Sequence, residues 1–276
     1  MSPHAPFVRR RTWLRAGTAL LAGAALSILL PACGQREAPA APAAAASAPA
    51  ARELVVGTDA VYAPFEFQDE KGEIVGFDID VVGAIAKKAG IEVKFVNTPW
   101  EGMFNTLLQG DRDVLASAIT ITDERRQTLA FSAPYFDAAQ LIAVPTGSPV
   151  ARFEDLRSLR VGVQTGTTGD EAASRLMGKT NPKLRRFEST PLALKELEAG
   201  GLDAVVADNG VIAHYVAHNG GPRFRAVSDP AFVPEQYGFA LRPADSALRE
   251  RLDAGLRAIR ADGRYDAIHT RWFGPQ

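Results

Sequence analysis

A run of hydroxyl side chains leads to an arginine in the segment Ser117–Arg126. Thr122 is a suitable N-cap for a short helix, and the two acidic residues after it suit a first helical turn. Arg125 then falls at about the third helical position, where the helix dipole disfavours a cation. This placement, beside the Thr120 hydroxyl, indicates that an anion such as a planar carboxylate holds the guanidinium. The alternative is a solvated surface arginine paired with one of the preceding acidic residues.

Two carboxylates follow apolar runs elsewhere in the chain. Asp208 ends the run Val205–Ala207, where a carboxylate is costly unless it is paired. It could accept hydrogen bonds from an ammonium group or be the N-cap of the next helix, and the two roles are compatible. Asp59 follows another predicted strand, with Tyr62 nearby, and Trp100 opens a helix after a third strand. Such aromatic rings either belong to the core or flank an aliphatic or cationic side chain.

The segment Gln164–Gly169 is rich in Thr and Gly and opens a predicted helix. Backbone N–H groups at a helix N-terminus bind anions well, which makes Thr167 and Thr168 candidates for the same site. No Gly-Lys-Ser/Thr follows, so the pattern does not indicate a phosphate loop. An N-cap turn is an equal alternative for this segment taken alone.

Together these side chains complement a zwitterionic amino acid, because they offer an Arg for the carboxylate, an Asp for the ammonium and an acidic, aromatic pocket beside them. The sequence has no Ser-His-Asp order, Walker motif, dinucleotide motif or clustered metal-ligand spacing. The chain has a net charge of −1 and no basic stripe typical of nucleic-acid binding. We therefore expect no cofactor, metal ion or nucleic acid.

Strand and helix patterns alternate through residues 53–276 and predict an α/β protein. The predicted strands are 54–57, 91–96, 113–116, 141–144, 160–163, 184–187, 203–206 and 237–241. The predicted helices are 78–89, 102–109, 168–177, 191–199, 209–217, 246–261 and 265–272. The series restarts after residue 136, which predicts two α/β units. Ligands of open α/β sheets bind beyond the carboxyl ends of strands, so topology predicts that the candidate segments converge there.

The first 32 residues have the composition of an export signal. Four arginines precede the uncharged apolar run Ala16–Leu30, which is shorter than the ~20 residues of a membrane-spanning helix. Leu30–Cys33 resembles a bacterial lipobox, so we expect lipidation of Cys33, the single cysteine. Arg10–Arg15 also resembles a twin-arginine signal, which leaves the export route open. Residues 33–52, rich in Ala, Pro and Ser, predict a tether to the membrane.

Five motifs resemble the polar amino-acid family of bacterial ABC-transporter substrate-binding proteins. They are Gly57–Phe67, Gly76–Asp80, Ile119–Arg125, Phe131–Tyr135 and Trp272–Gly274. The resemblance covers residues 53–276 and implies a type II periplasmic binding protein fold, in which two α/β lobes joined by a two-stranded hinge enclose a ligand cleft. The implied parts are lobe 1 at 53–134 and 238–276, lobe 2 at 139–232, and a hinge at 135–138 and 233–237.

The resemblance also implies a role for each candidate side chain. Arg125 would bind the ligand α-carboxylate, helped by Thr120 and by backbone amides near Thr168. Asp208 would bind the α-ammonium together with a backbone carbonyl near Ala118. The positions that would face the ligand side chain, or complete the site beside it, are Asp59, Tyr62, Trp100, Ser117, Gln164 and Thr167.

The function implied is that of a monomeric lipoprotein of the periplasm or cell envelope, which binds an amino acid and delivers it to the membrane subunits of an ABC permease. Glutamine-selective members tend to carry Lys where Gln164 stands and His where Ala207 stands. We therefore expect a basic ligand (arginine, lysine or histidine) before glutamine, and an uncompensated Asp59 suits a cationic side chain. The alternative is an enzyme, because some relatives of the fold are cyclohexadienyl dehydratases acting on arogenate or prephenate. Such an enzyme needs a general acid or base, for which Asp59 or Glu66 could be proposed.

Overall fold

The structure, a computed structural model, describes residues 52–275. The predicted signal peptide, Cys33 and the predicted tether up to residue 51 lie outside this range. The strands are β1 (Leu54–Thr58), β2 (Val61–Tyr62), β3 (Glu66–Gln68), β4 (Ile74–Val75), β5 (Val93–Asn97), β6 (Val114–Leu115), β7 (Ala130–Phe131), β8 (Phe136–Ala138), β9 (Gln140–Pro145), β10 (Val161–Gln164), β11 (Leu184–Phe187), β12 (Ala204–Asp208), β13 (Phe224–Val227), β14 (Glu235–Tyr237) and β15 (Ala240–Leu241). The α-helices are α1 (Phe77–Ala89), α2 (Met103–Gln109), α3 (Asp123–Arg126), α4 (Thr168–Met177), α5 (Thr190–Glu198), α6 (Asn209–Tyr215), α7 (Ser246–Ala261) and α8 (Arg264–Phe273).

The first lobe is built on a five-stranded sheet with the order β5-β1-β6-β15-β7. Strand β1 runs parallel to both β5 and β6, while β15 pairs antiparallel with β6 and β7. Helices α1, α7 and α8 pack together beside it. Because β15 comes after the whole second lobe in sequence, the chain leaves this lobe and returns to complete its sheet.

The second lobe has a sheet with the order β11-β10-β12-β9-β13. Its central strand pairs, β10 with β11 and β10 with β12, are parallel, and β9 pairs antiparallel with β12 and β13. Apolar clusters cover both faces of this sheet, which explains why its strands have continuous apolar runs rather than alternating ones. The two-lobed α/β architecture predicted from the sequence is confirmed.

Strands β8 and β14 form an antiparallel ribbon between the lobes, with Phe136 opposite Tyr237 and Ala138 opposite Glu235. The single strand predicted at 237–241 is wrong, because the structure divides it between β14 in the ribbon and β15 in the first sheet. Gly238 lies at the division and donates its N–H to the Ile119 carbonyl. An apolar run shows that a segment is buried but does not show that it changes partners halfway.

An aromatic cluster fixes the ribbon against the first lobe. Phe65, Phe77, Tyr135, Tyr237 and Phe239 are each at most 1% exposed. Burying each such side chain contributes roughly 1.5–3 kcal/mol. The rings pack by stacking and by edge-to-face contact, with Tyr135 and Phe239 centroids 4.3 Å apart. The cluster therefore holds the loop that carries β2 and β3 close to the ribbon, and both of these elements line the candidate site.

Candidate functional site

A cavity lies at the carboxyl ends of the parallel strands. Asp59 directly follows β1, and Gln164 and Asp208 are the last residues of β10 and β12. The residues lining the cavity are Asp59, Tyr62, Glu66, Trp100, Ser117, Ala118, Thr120, Arg125, Gln164, Thr167, Thr168 and Asp208. The structure thus brings together all eleven residues that the sequence analysis selected, and it adds Glu66.

Arg125 is the third residue of α3, and the Thr122 side chain caps this helix by accepting the Arg125 N–H at 3.1 Å. The guanidinium donates to the Thr120 carbonyl at 2.9 Å and, across the cleft, to the Gly166 carbonyl at 3.3 Å. It also lies 5.2 Å from the centre of the Trp100 ring. The predicted alternative of a surface ion pair is wrong, because no carboxylate in residues 52–275 lies within ion-pair distance of Arg125.

Asp208 is buried and accepts three hydrogen bonds from three different elements. The hydroxyl groups of Tyr62 and Tyr237 donate to Oδ2 at 2.8 and 2.6 Å, and the Gln140 amide donates to Oδ1. Asp208 stands at the N-cap position of α6, as the alternative predicted, but its side chain makes no capping hydrogen bond to this helix. Burial, and then the negative charge of Glu235, raise the pKa of Asp208 to about 6, although these hydrogen bonds lower it.

Glu235, on the ribbon strand β14, is hydrogen bonded to both walls of the cavity. Its Oε2 accepts the Thr120 hydroxyl from the first lobe at 2.7 Å and the Thr168 hydroxyl from the second lobe at 2.9 Å. Gln140 Nε2 lies 3.2 Å from the other oxygen. Neither Gln140 nor Glu235 was found from the sequence. Asp208 and Gln140 are opposite each other in the β12–β9 register, a relation that exists only once the strands pair.

The Gln164–Gly169 loop is an N-cap turn, one of the two alternatives that the sequence left open. The Thr167 hydroxyl accepts the Asp170 N–H at 3.2 Å and donates to the Gln164 carbonyl at 2.9 Å. Helix α4 begins at Thr168, as predicted. The turn brings Thr168 and the start of this helix to the cavity opposite Arg125.

The opposite end of the cavity is formed by Asp59 and Gln164. Thr190 donates both its N–H and its hydroxyl to Gln164 Oε1, at 3.2 and 3.0 Å. The Gln164 amide N–H group donates to the Asp59 carboxylate, which also accepts a hydrogen bond from the Trp100 backbone N–H. Burial raises the pKa of Asp59 to about 6, and these two contacts offset the burial only in part.

Glu66 forms the floor of the cavity and is fully buried. Ser117 donates its hydroxyl to Glu66 Oε1 at 3.0 Å and accepts the Asp59 N–H at 3.0 Å. The Ser117 hydroxyl proton is therefore bonded within the protein. Burial, and then the charge of Asp78, raise the pKa of Glu66 well above its usual 4.5.

Asp78 stands behind Ala118. Its Oδ2 accepts the Ala118 N–H at 2.9 Å and the Tyr135 hydroxyl at 2.6 Å. Ala118 has φ of +45°, the one positive value at a non-glycine residue among those described. Such a backbone is strained and is typical of functional sites, where the surrounding structure holds it in place. Here Asp78 supplies that restraint, so it positions one wall of the cavity.

Residues 52–275 contain neither a candidate metal site nor a candidate membrane-spanning helix. No three His, Cys, Asp or Glu side chains in this range stand where they could together hold a metal ion. No helix in the same range combines the length and apolar character needed to cross a membrane.

Known proteins are similar to this chain in sequence, and a solved structure is similar to it in fold. A Neisseria gonorrhoeae protein named "Probable histidine-binding protein" is 43% identical over 235 residues, which are 84% of this chain and 88% of that protein. The Escherichia coli K12 "ABC transporter arginine-binding protein 1" is 31% identical over 82% of this chain and 93% of its own length. The solved structure of the arginine-, lysine-, histidine-binding protein ArtJ from Geobacillus stearothermophilus has a TM-score of 0.78 and 42% identity, and the match covers 82% of this chain and 96% of ArtJ.

The family match spans nearly the whole described range. The sequence pattern of the family described as bacterial extracellular solute-binding proteins, family 3, matches residues 54–275. Together with the two sheet-containing lobes and the structural neighbour, this confirms the type II periplasmic binding protein fold. The chain belongs to the bacterial extracellular solute-binding proteins, family 3.

Proposed function

We propose that this protein binds an L-amino acid with a cationic side chain and delivers it to an ABC permease. The observation that carries the proposal is the charge distribution of one cavity. One end has an arginine without an ion-pair partner among the described residues, together with a buried aspartate. The other end has two buried carboxylates, Asp59 and Glu66, without a cation within ion-pair distance among the described residues. An amino acid with a positive side chain neutralises both ends at once.

The Arg125 end suits the part that all amino acids share. The Arg125 guanidinium, which lies over the Trp100 ring, donates to the Thr120 and Gly166 carbonyls and has further N–H groups that can donate to an α-carboxylate. Thr168, at the start of α4, adds backbone N–H groups that favour an anion. Asp208 then accepts the α-ammonium together with the Ala118 carbonyl, and the charge of Asp208 becomes compensated.

The other end suits a guanidinium, ammonium or imidazolium group. Asp59 and Glu66 are 8% and 0% exposed, and a buried carboxylate without a positive partner is unfavourable. A ligand cation provides that partner, and the Trp100 and Tyr62 rings beside it favour a positive charge further. The similar proteins named for histidine, arginine and lysine support the same class of ligand.

Binding closes the two lobes by a hinge motion at the β8–β14 ribbon. The contacts from Tyr62 to Asp208 and from Arg125 to Gly166 cross the cleft, and they are available only when the lobes are close together. A ligand that contacts both walls favours this closed form by the difference in its affinity for the two forms.

The location and the partners form part of the same proposal. Export removes residues 1–32, a lipid on Cys33 anchors the protein at the cell envelope, and residues 33–52 tether a monomeric binding domain near the permease. These residues lie almost wholly outside the described range, and the support comes from their sequence pattern. Labelling with a radioactive fatty acid tests the anchor, because Cys33→Ala should abolish incorporation.

The enzyme alternative is less well supported. Asp59 has the raised pKa that a general acid needs. The same shift arises in any buried carboxylate that has no positive partner. The similar proteins named above are all binding proteins. Incubation with arogenate or prephenate should therefore give no dehydration product.

Isothermal titration calorimetry of the purified binding domain against the common L-amino acids tests the proposal. We expect arginine, lysine and histidine to bind more tightly than glutamine and the acidic amino acids to bind least. Absence of binding to every amino acid at millimolar concentration contradicts the proposed function.

A further inference from the structure

Two buried carboxyl groups face each other beneath the cavity floor. Glu66 and Asp78 are each 0% exposed, and their carboxyl groups lie close enough for one proton to form a hydrogen bond between them. Glu66 Oε2 and Asp78 Oδ1 receive no hydrogen bond from any donor among the described residues. Their other oxygens are occupied by the Ser117 hydroxyl and by the Ala118 N–H and Tyr135 hydroxyl. The contact between the Glu66 and Asp78 carboxyl groups therefore has no hydrogen-bond donor when both are ionised.

The chain is built to bring these two groups together. The Asp78 N–H donates to the Phe65 carbonyl at 2.9 Å, so the first turn of α1 is bonded to the residue directly before Glu66. Gly76 makes this approach possible, because it has φ of +142° and a Cβ there would be 2.0 Å from the Phe65 carbonyl oxygen. The pairing is thus a result of the backbone path and does not depend on a flexible side chain.

The groups that face the pair from each neighbouring element are neutral or negative. Asp59 and Asp208 add negative charge to Glu66. The hydroxyl groups of Tyr135, just before β8, and of Tyr265, on α8, lie near Asp78. Within the described part of the chain, no lysine or arginine is among the main groups that act on either carboxyl. Two carboxylates in contact cannot both be ionised in such surroundings, whereas one shared proton supplies the missing donor.

We infer that Glu66 and Asp78 share a proton in the ligand-free protein and that a cationic ligand side chain displaces it, so that this pair selects ligands by proton exchange. The inference rests on the proposed function, because it requires an amino acid whose side chain reaches Glu66. The two buried carboxyl groups keep the proton near neutral pH, because burial raises the pKa of Asp78 to about 7 and also raises that of Glu66. A cation at Glu66 favours its ionised form, and the proton leaves.

The fate of the proton differs with the ligand. Arginine and lysine arrive already charged, so the proton passes to solvent. Histidine has a side-chain pKa of about 6.5 and is mostly neutral near pH 7.5, so its imidazole takes up the proton from the pair and the solvent gains none. L-Citrulline, which has the shape of arginine but a neutral urea group, leaves the proton in place.

Calorimetric titration of the wild-type protein near pH 7.5, in buffers of different ionisation enthalpy, counts the protons exchanged. We expect release of about one proton per arginine bound and a net exchange near zero for histidine and for citrulline. A binding heat for arginine that is independent of the buffer overturns the inference, as does uptake of a proton with histidine. In both cases the binding itself remains visible, whereas failure of the proposed function gives no binding heat with any ligand.

A matched pair of variants assigns the proton to these groups. Glu66→Gln keeps the shape and provides a permanent donor to Asp78, so we expect proton release with arginine to fall to near zero. Glu70→Gln, the same change at an exposed site four residues further on, should release as many protons as wild type. Undiminished release in Glu66→Gln overturns the assignment. If that variant does not fold, the wild-type buffer series decides alone.

Discussion

The two ends of the cavity satisfy their charged groups in different ways. At the Asp208 end, three donors from Tyr62, Tyr237 and Gln140 already bond the carboxylate. At the Glu66 end, the buried carboxyl contacts another carboxyl, and one of its oxygens has no donor among the described residues. The first end is therefore organised before the ligand arrives. The second has no positive partner among the described residues until a cation enters.

This difference separates affinity from selectivity. Groups that are fully hydrogen bonded and held by several elements recognise the invariant part of a ligand with little reorganisation. Groups that are buried without compensation discriminate, because they penalise any ligand that fails to supply the missing charge. The following substitutions test whether the two ends are separable in this way.

The largest effect is expected from Arg125→Ala. This change removes the cation placed for the α-carboxylate, and losing such a charge-assisted contact costs about 3 kcal/mol or more, which is a factor of about 100 or more in Kd. The loss should be the same for arginine and for citrulline. Calorimetry measures it, with Arg126→Ala as the control, because Arg126 is the exposed neighbour on the same helix. An affinity within about threefold of wild type contradicts the role of Arg125.

Asp208→Asn should weaken arginine and citrulline equally, by about 30-fold. The variant keeps an acceptor for the tyrosine hydroxyls but loses the charge that pairs with the α-ammonium. Measured Kd values for both ligands give the comparison. A loss confined to arginine would mean that Asp208 contacts the ligand side chain instead.

Asp59→Asn is the matched change at the other end and should weaken arginine by about tenfold while leaving citrulline within about threefold. The reason is that Asp59 acts on the side-chain cation only. The same titrations measure this effect. Equal losses for the two ligands would remove the distinction between the ends of the cavity.

The smallest effect concerns the stability of the ligand-free protein. An aspartate in the unfolded chain releases its proton near the ordinary aspartate pKa of 3.8, whereas the raised pKa values mean that Asp78 retains its proton until about pH 7 and Asp59 and Asp208 until about pH 6. Deprotonation within this window favours the unfolded state, so stability should fall as pH rises from about 4 to 7. We expect Tm to fall by a few degrees across this window. His214 and His269, whose pKa values burial lowers, oppose this trend.

Thermal unfolding of Asp78→Asn across the same pH range isolates the contribution of the carboxyl pair. The variant should show a shallower fall in Tm than wild type, because one of the raised groups no longer titrates. Asp113→Asn is the contrasting control. Although Asp113 is buried, hydrogen bonds from the Val55 amide and from Arg52 lower its pKa, so this variant should be less stable near neutral pH. Identical slopes in wild type and Asp78→Asn would show that the pair does not hold a proton.

The part of the site that the sequence predicted includes residues whose type is unfavourable at their position in a helix or strand. Arg125 stands at a position where the helix dipole disfavours it, and Asp208 ends an apolar strand where a charge is costly. Asp59 and Gln164 could be placed because they follow or end strands that a parallel sheet must align. Position along a single element was enough to identify each of these.

The residues that were missed depend on which elements become neighbours. Gln140 is opposite Asp208 only through the register of β9 and β12, and Glu235 reaches the cavity only because the ribbon passes between the lobes. Glu66 was considered only as an acid for the enzyme alternative, and its contact with Asp78 depends on the turn at Gly76. Pairwise relations of this kind are set by tertiary packing, which one sequence does not encode in its local pattern.

The central claim is that the cavity recognises an amino acid whose side chain carries a positive charge. The most direct measurement is the ratio of Kd values for L-arginine and L-citrulline with the wild-type protein near neutral pH, since the two differ in charge but hardly in shape. Removing one desolvated charge interaction costs about 1.4 kcal/mol or more, so arginine should bind at least about tenfold more tightly. Equal affinities, or tighter binding of citrulline, would contradict the account.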